Sequence, residues 1–174
     1  MRYNVAQLLK APIGAVRHYH IDEDVTGLDP DLVPTERLRG EVTLLRTGNG
    51  ILVTGHLTTE VEVVCSRCLE PSSVALEVDL EEEFRPTVDV ITGRHLLMEE
   101  EDQALWIDAQ HILDLHEVVR QNLLLALPLH PLCREDCAGI CPQCGQNLNE
   151  GPCDCIATEV DPRWSALLEL KLDQ

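Results

Sequence analysis

The sequence predicts an α+β protein: an antiparallel meander of strands, open or barrel-like, with two helices and a cysteine-rich, zinc-binding segment. Three observations predict it. Apolar and polar residues alternate from residue 38 to about residue 80. Helical spacing longer than a single turn occurs only later, after Asp114 and again after Asp161. Eight cysteines fall into four close pairs. Residues 1–107 are expected to be mainly β and to include the first cysteine pair. Residues 108–174 are expected to hold a helix, the cysteine segment 133–155 and a C-terminal helix, packed as one domain.

Val5 to Leu9 reads as a short helical turn stopped by Pro12 and Gly14. Ile21 to Glu36 reads as an acidic surface connection, rich in Asp, Glu and Pro. Glu41 to Arg46 is a strand, Gly48-Asn49-Gly50 a hairpin turn, and Ile51 to Val64 one long strand or two short ones. The chain breaks at Cys65 to Pro71 and resumes with Val74, Leu76, Val78 and Leu80 alternating against Ala75, Glu77, Asp79 and Glu81. Such alternation belongs to a sheet with one buried and one wet face. It also puts the first cysteine pair on a hairpin turn. Leu105-Trp106-Ile107 reads as a short strand returning to the sheet. Asp114-x-x-Glu117 has the pattern of a capping box opening a helix through Leu127, which Pro128 and Pro131 stop. Asp161-Pro162 has N-cap chemistry for a last helix carrying Trp164, Leu167, Leu168 and Leu172.

Charge narrows the choice of partners. The formal charge is −18 and aromatic residues make up 3% of the chain. Ligation of two zinc ions by eight thiolates would deepen the charge to about −22. Such a chain repels phosphate backbones and has few rings to stack on bases, which disfavours direct nucleic-acid binding. A basic protein partner fits better. The plainer alternative is that the charge only keeps the protein soluble. Residues 77–117 hold thirteen acids against Arg85 and Arg94. Within them, Glu99-Glu100-Glu101-Asp102 is the densest run and the candidate docking patch. No secretory signal and no apolar run of membrane-spanning length is present, so a cytoplasmic location is expected. The cysteines are then expected as thiolates on metal rather than as disulfides.

The pairs are Cys65-Ser66-Arg67-Cys68, Cys133 with Cys137, Cys141-Pro142-Gln143-Cys144, and Cys153-Asp154-Cys155. Each can supply one edge of a tetrahedron, so four pairs complete two four-cysteine zinc sites. Only a short loop separates Cys144 from Cys153, and closing it costs little entropy. The preferred partition is therefore Cys141, Cys144, Cys153 and Cys155 in one site, with Cys65, Cys68, Cys133 and Cys137 in the other. Partitions joining Cys65 and Cys68 to either of the two later pairs stay open. So does His130 as a substitute ligand, and so does a redox role for Cys65 and Cys68, although no βαβ context surrounds them. No Gly-rich phosphate loop, nucleophile elbow or His-Glu-x-x-His pattern is found, and a closed four-thiolate site leaves no open position for catalysis. The expectation is a non-catalytic protein.

Several segments together resemble a known family. They are Val64-Cys65-Ser66-Arg67-Cys68-Leu69-Glu70-Pro71, Leu123 to Pro128 followed by Pro131-Leu132-Cys133-Arg134-Glu135-Asp136-Cys137, Gly139 to Asn149, and Asp161-Pro162-Arg163-Trp164. In order and spacing they resemble the YceD family, the bacterial large ribosomal RNA subunit accumulation proteins. The resemblance implies a role in accumulation or processing of large-subunit ribosomal RNA, and hence a basic ribosomal protein or the assembling large subunit as partner. It implies no known catalytic activity. Some relatives keep the first pair and a His/Cys version of the Cys133–Cys137 pair but lack the later cluster. That implies that Cys65, Cys68, Cys133 and Cys137 form the shared site. The rival readings are direct RNA binding through Arg17, Arg37, Arg39 and Arg46, and a zinc-dependent redox switch.

Overall fold

The computed structural model describes residues 1–96 and 100–155. In chain order the elements are β1 (Arg2–Asn4), α1 (Ala6–Lys10), β2 (Val16–Glu23), β3 (Val33–Pro34), β4 (Leu38–Arg46), β5 (Ile51–Val64), β6 (Pro71–Pro86), a 3₁₀ turn (Glu100–Leu105), β7 (Trp106–Ile107), β8 (Ile112–Asp114) and α2 (His116–Ala126). The main sheet runs β2-β4-β5-β6-β7, with β3 also paired to β5. A separate two-stranded ribbon joins β1 to β8. The α+β class fits. The sheet is not closed into a barrel, and β7 joins β6 in parallel, so the all-antiparallel barrel-like alternative is corrected.

The frame is set by β4, β5 and β6. Strand β5 is a single strand of 14 residues, paired throughout with β6 from Ile51↔Phe84 to Val64↔Pro71. Its period-two pattern sends Ile51, Val53, Leu57 and Val61 inward, each at most 1% exposed. Leu38, Val42 and Leu44 of β4 and Leu76, Val78, Leu80 and Phe84 of β6 complete that inner face. Leu8 and Leu9 of α1, Leu113 of β8, and Val118, Val119 and Leu123 of α2 cover it in one continuous core. The outer face is wet, as one-sided alternation demands.

Two local expectations differ from the structure. Val16–Glu23 is a strand, although its later part reads in the sequence as connection. The sheet holds it through eight backbone pairs to β4, from Val16↔Leu45 to Glu23↔Leu38. At the start of α2, Asp114 accepts the His116 N–H at 3.0 Å. Glu117 does not reach back to the N-cap; it takes both arms of Arg120 instead, with Nε and Nη2 at 2.9 and 2.7 Å. The predicted C-terminal helix with Trp164, Leu167, Leu168 and Leu172 lies outside the described residues.

Close packing of β4 on β5 depends on glycine. A Cβ on Gly40 would stand 2.0 Å from the His56 carbonyl oxygen and 2.8 Å from Leu57 Cδ2. Backbone cannot yield as a side-chain tip can. Gly40→Ala is therefore expected to destabilise the protein by about 1–3 kcal/mol, measured by urea unfolding; wild-type stability in this variant would refute the close approach.

A second prediction concerns acid. Arg120 also reaches Asp29 at 2.7 Å, tying α2 to the loop before β3. Its guanidinium holds the Glu117 carboxyl at about 2, against an ordinary 4.5. Because the folded value is depressed, this stabilisation is complete above about pH 4.5 and is lost as pH falls toward 2. Glu117→Gln should lower the melting temperature at pH 7 and flatten its fall across that acid range. An unchanged acid limb would show that the pair contributes nothing.

Candidate metal centres

The β5–β6 hairpin ends in a tight knuckle. Cys65 N–H donates to the Glu70 carbonyl at 2.9 Å, and Leu69 N–H donates to the Cys65 carbonyl at 2.9 Å. Leu69 takes φ 62°, a left-handed value, to turn the chain back. The bend brings the Cys65 and Cys68 sulfurs to one side. The chain after α2 then comes to the knuckle through backbone contacts. Ser66 N–H donates to the Pro131 carbonyl at 2.8 Å, and Ile140 N–H donates to the Arg67 carbonyl at 3.1 Å. The Arg67 guanidinium donates to the Cys137 carbonyl at 3.0 Å.

These contacts gather Cys65, Cys68, Cys133 and Cys137, whose sulfurs all lie within 4.8 Å of one another. Cys65 Sγ is 3.8 Å from Cys137 Sγ, and Cys68 Sγ is 3.6 Å from Cys133 Sγ. Disulfides require about 2.05 Å. A regular tetrahedron with metal–sulfur bonds of about 2.3 Å has sulfurs about 3.8 Å apart. The spacing is that of metal ligands. Cys65, Cys68 and Cys137 are buried, with Leu132 packed against them, and Cys133 is exposed.

A second group holds Cys141, Cys144, Cys153 and Cys155, again within 4.8 Å. Here the knuckle is closed by Cys141 N–H to the Gln146 carbonyl at 2.8 Å and Gly145 N–H to the Cys141 carbonyl at 2.9 Å. Gly145 has φ 75°, which a residue without Cβ adopts without strain. Only Cys141 is buried; Cys144 and Cys155 are exposed and Cys153 is half-buried. His130 is exposed and belongs to neither group.

Electrostatics explain why each group suits a dication. The Cys68 and Cys133 backbone N–H groups, aimed at sulfur, bring the Cys65 thiol down to about 6. Those of Cys144 and Gln143 do the same for Cys141, also to about 6. In each group another thiol moves the opposite way. Burial and the Cys68 sulfur push Cys133 up to about 12, and the Cys144 sulfur with burial pushes Cys155 to about 12. Four negative sulfurs this close repel one another unless a cation sits among them.

Sequence reasoning gives Asn149 no role of its own, yet it joins the two centres. Its Nδ2 donates to Cys137 Sγ at 3.4 Å, while its Oδ1 accepts from Ala138 N–H at 2.8 Å and from Arg134 at 2.6 Å. It thus orients a sulfur of the first group from the loop that closes the second. Asn-x-Asn, with Asn147 Oδ1 accepting the Asn149 N–H, is the one local pattern that could have marked it.

The acidic patch is only partly described. Glu100, Glu101 and Asp102 fall in the 3₁₀ turn leading to β7, and Glu99 lies outside the described residues. The arginines of the RNA-binding rival do not form a stripe. Arg37 is bonded to Asp22, Arg39 pairs with Asp22 and Glu36, and Arg46 turns onto the carbonyls of Leu9, Thr47 and Gly50. Among the described residues no helix is long and apolar enough to cross a membrane.

Asn149→Ala is expected to leave both sulfur groups assembled but to loosen Cys137. A faster exchange of metal at the first centre, measured with an isotopically labelled zinc salt, would follow. An exchange rate equal to wild type would refute the coupling.

Comparison with known proteins agrees with the motifs. Residues 53–171 match the family described as Large ribosomal RNA subunit accumulation protein YceD. Uncharacterized proteins of Mycobacterium bovis and Mycobacterium tuberculosis are each 36% identical over 121 residues, covering 70% of this chain and 56% of theirs. One of Mycobacterium leprae is 28% identical over 120 residues, covering 69% of this chain and 52% of its own. The chain thus spans about half the length of the curated relatives it matches. No solved structure matches. With its paired knuckles inside the matched region, the chain belongs to the YceD family of large ribosomal RNA subunit accumulation proteins.

Proposed function

We propose that this protein is a zinc-stapled, non-catalytic accessory factor in assembly of the large ribosomal subunit, supporting accumulation or processing of its RNA in the cytoplasm. Each zinc ion takes four cysteines: Cys65, Cys68, Cys133 and Cys137 in one site, Cys141, Cys144, Cys153 and Cys155 in the other. The observation that carries this reading is the closure of both sulfur groups. Four thiolates complete a tetrahedron and leave no position for water or substrate, as in sites that fold a chain. The family role supplies the ribosomal context. The charge of −18 supplies the partner: a basic ribosomal protein or a basic protein surface on the assembling subunit. The docking surface includes the acidic run Glu99, Glu100, Glu101 and Asp102. Direct RNA binding is the weaker reading because Arg37, Arg39 and Arg46, three of the four arginines it needs, are engaged by carboxylates and carbonyls.

Metal content tests the first half. Two zinc ions per chain are expected by elemental analysis and native mass spectrometry. A chelator should remove them in order, the ion at exposed Cys144 and Cys155 first. One ion or none in reduced, chelator-free protein would overturn the reading, and a red iron-loaded protein would reassign the metal. Sedimentation tests the second half. Tagged protein should co-migrate with immature large-subunit particles on sucrose gradients. Neutralising Glu99, Glu100, Glu101 and Asp102 should weaken that association and flatten its salt dependence. Absence from those particles, together with normal large-subunit RNA in a deletion strain, would overturn it.

A further inference from the structure

Among the described residues, strand β6 has an open side. Its ladder to β5 has a phase fixed by the hairpin, because Cys65 N–H bonds the Glu70 carbonyl. Counting from that pair, residues at even positions of β6 bond β5, while those at odd positions turn their N–H and C=O away. The far end agrees: β7 takes up Arg85, and Thr87 N–H donates to the Ile107 carbonyl. Ser73, Ala75, Glu77, Asp79 and Glu81 lie between. Among the described residues none of their backbone groups has a partner on that side.

The same residues point their side chains to the outer face, where all five are exposed. The unpaired backbone edge and the column Glu77, Asp79 and Glu81 therefore coincide. Glu60 and Glu62 of β5 extend the negative field on that face. An exposed edge of this length would ordinarily invite a second copy. Here a second copy would lay carboxylates against carboxylates. The opposite edge, β2, mixes Arg17, His18 and His20 with Asp22 and Glu23 and carries no single sign.

We infer that the β6 edge from Ser73 to Glu81 is a docking site for an extended basic segment of a partner protein, which adds to the sheet as a strand. Backbone hydrogen bonds hold the guest, and lysine or arginine at alternate positions lies over Glu77, Asp79 and Glu81. This rests on the reading that the partner is basic and names how that partner is held. It places the recognition on the sheet edge as well as on the Glu99–Asp102 run.

The test uses the full-length, zinc-loaded protein and two fluorescent nine-residue peptides of alternating lysine and threonine. They are identical in charge, and one is N-methylated at every amide, so that neither of its edges can complete a ladder. The unmodified peptide is expected to bind at low salt, the methylated one at least about tenfold more weakly. Exchange of the Ala75, Glu77 and Asp79 amide hydrogens should slow in the first complex only. Ala75→Pro removes an outward N–H without touching the β5 ladder and should cost a similar factor. If that variant fails to fold, the combined change Glu77→Gln, Asp79→Asn and Glu81→Gln should weaken the unmodified peptide about tenfold. Equal affinity for the two peptides would overturn strand addition and leave the acidic-docking reading standing. No binding of either peptide would overturn both.

Discussion

The structure depends on one long-range closure. The sulfurs of Cys68 and Cys133 stand 3.6 Å apart across 65 residues of chain. On one side is a hairpin already fixed by 14 register pairs between β5 and β6. On the other is a segment, residues 127–155, with no helix or strand beyond the isolated bridge Ile140↔Asn147. Such a segment has no apolar face of its own large enough to fix it. It is positioned through the knuckle, by Arg67 and Ser66 on the backbone side and by the sulfurs in the middle. Bound metal supplies free energy that a small domain otherwise draws from core area.

The two centres are unequal in that design. The first joins parts of the molecule that are distant in sequence, is mostly buried, and has a packed apolar neighbour in Leu132. The second closes a local loop and leaves Cys144 and Cys155 exposed. Asn149 makes the second serve the first, because the loop between Cys144 and Cys153 carries the amide that bonds Cys137. Acid on the surface then has a cost. Thiolates add negative charge to a chain at −18. The backbone N–H groups aimed at Cys65 and Cys141 offset part of it locally, before any ion contributes.

Much of this was legible in the sequence, for identifiable reasons. Gly48-Asn49-Gly50 and the alternation from Ile51 to Leu80 report a hairpin whose faces differ in solvent. The spacing within each cysteine pair lets its two sulfurs face one centre, while which pairs share a centre rests on the short loop between Cys144 and Cys153 and stays open to other partitions. What stayed hidden lacks a local signature. Val16–Glu23 is an edge strand, and with only Ile21 buried it needs little apolar patterning. The parallel pairing of two-residue β7 comes from tertiary placement, not from Trp106-Ile107 itself. Glu117 looked like a cap partner because spacing cannot show that Arg120, which also donates to Asp29, takes up its carboxylate. Asn149 looked like any loop asparagine.

The placement of acid on β6 joins stability to recognition. A strand buried on one face needs apolar residues only at alternate positions, here Leu76, Val78 and Leu80, and leaves Glu77, Asp79 and Glu81 free to be chosen for the solvent side. Carboxylates there protect an open edge from copies of itself. That protection is selective by sign. An edge closed to an acidic strand is by the same charges open to a basic one, so the carboxylates that repel a second copy attract a basic guest. The cysteine knuckle at the start of β6 keeps that edge in register with β5, and so holds the backbone donors and the carboxylates in one line.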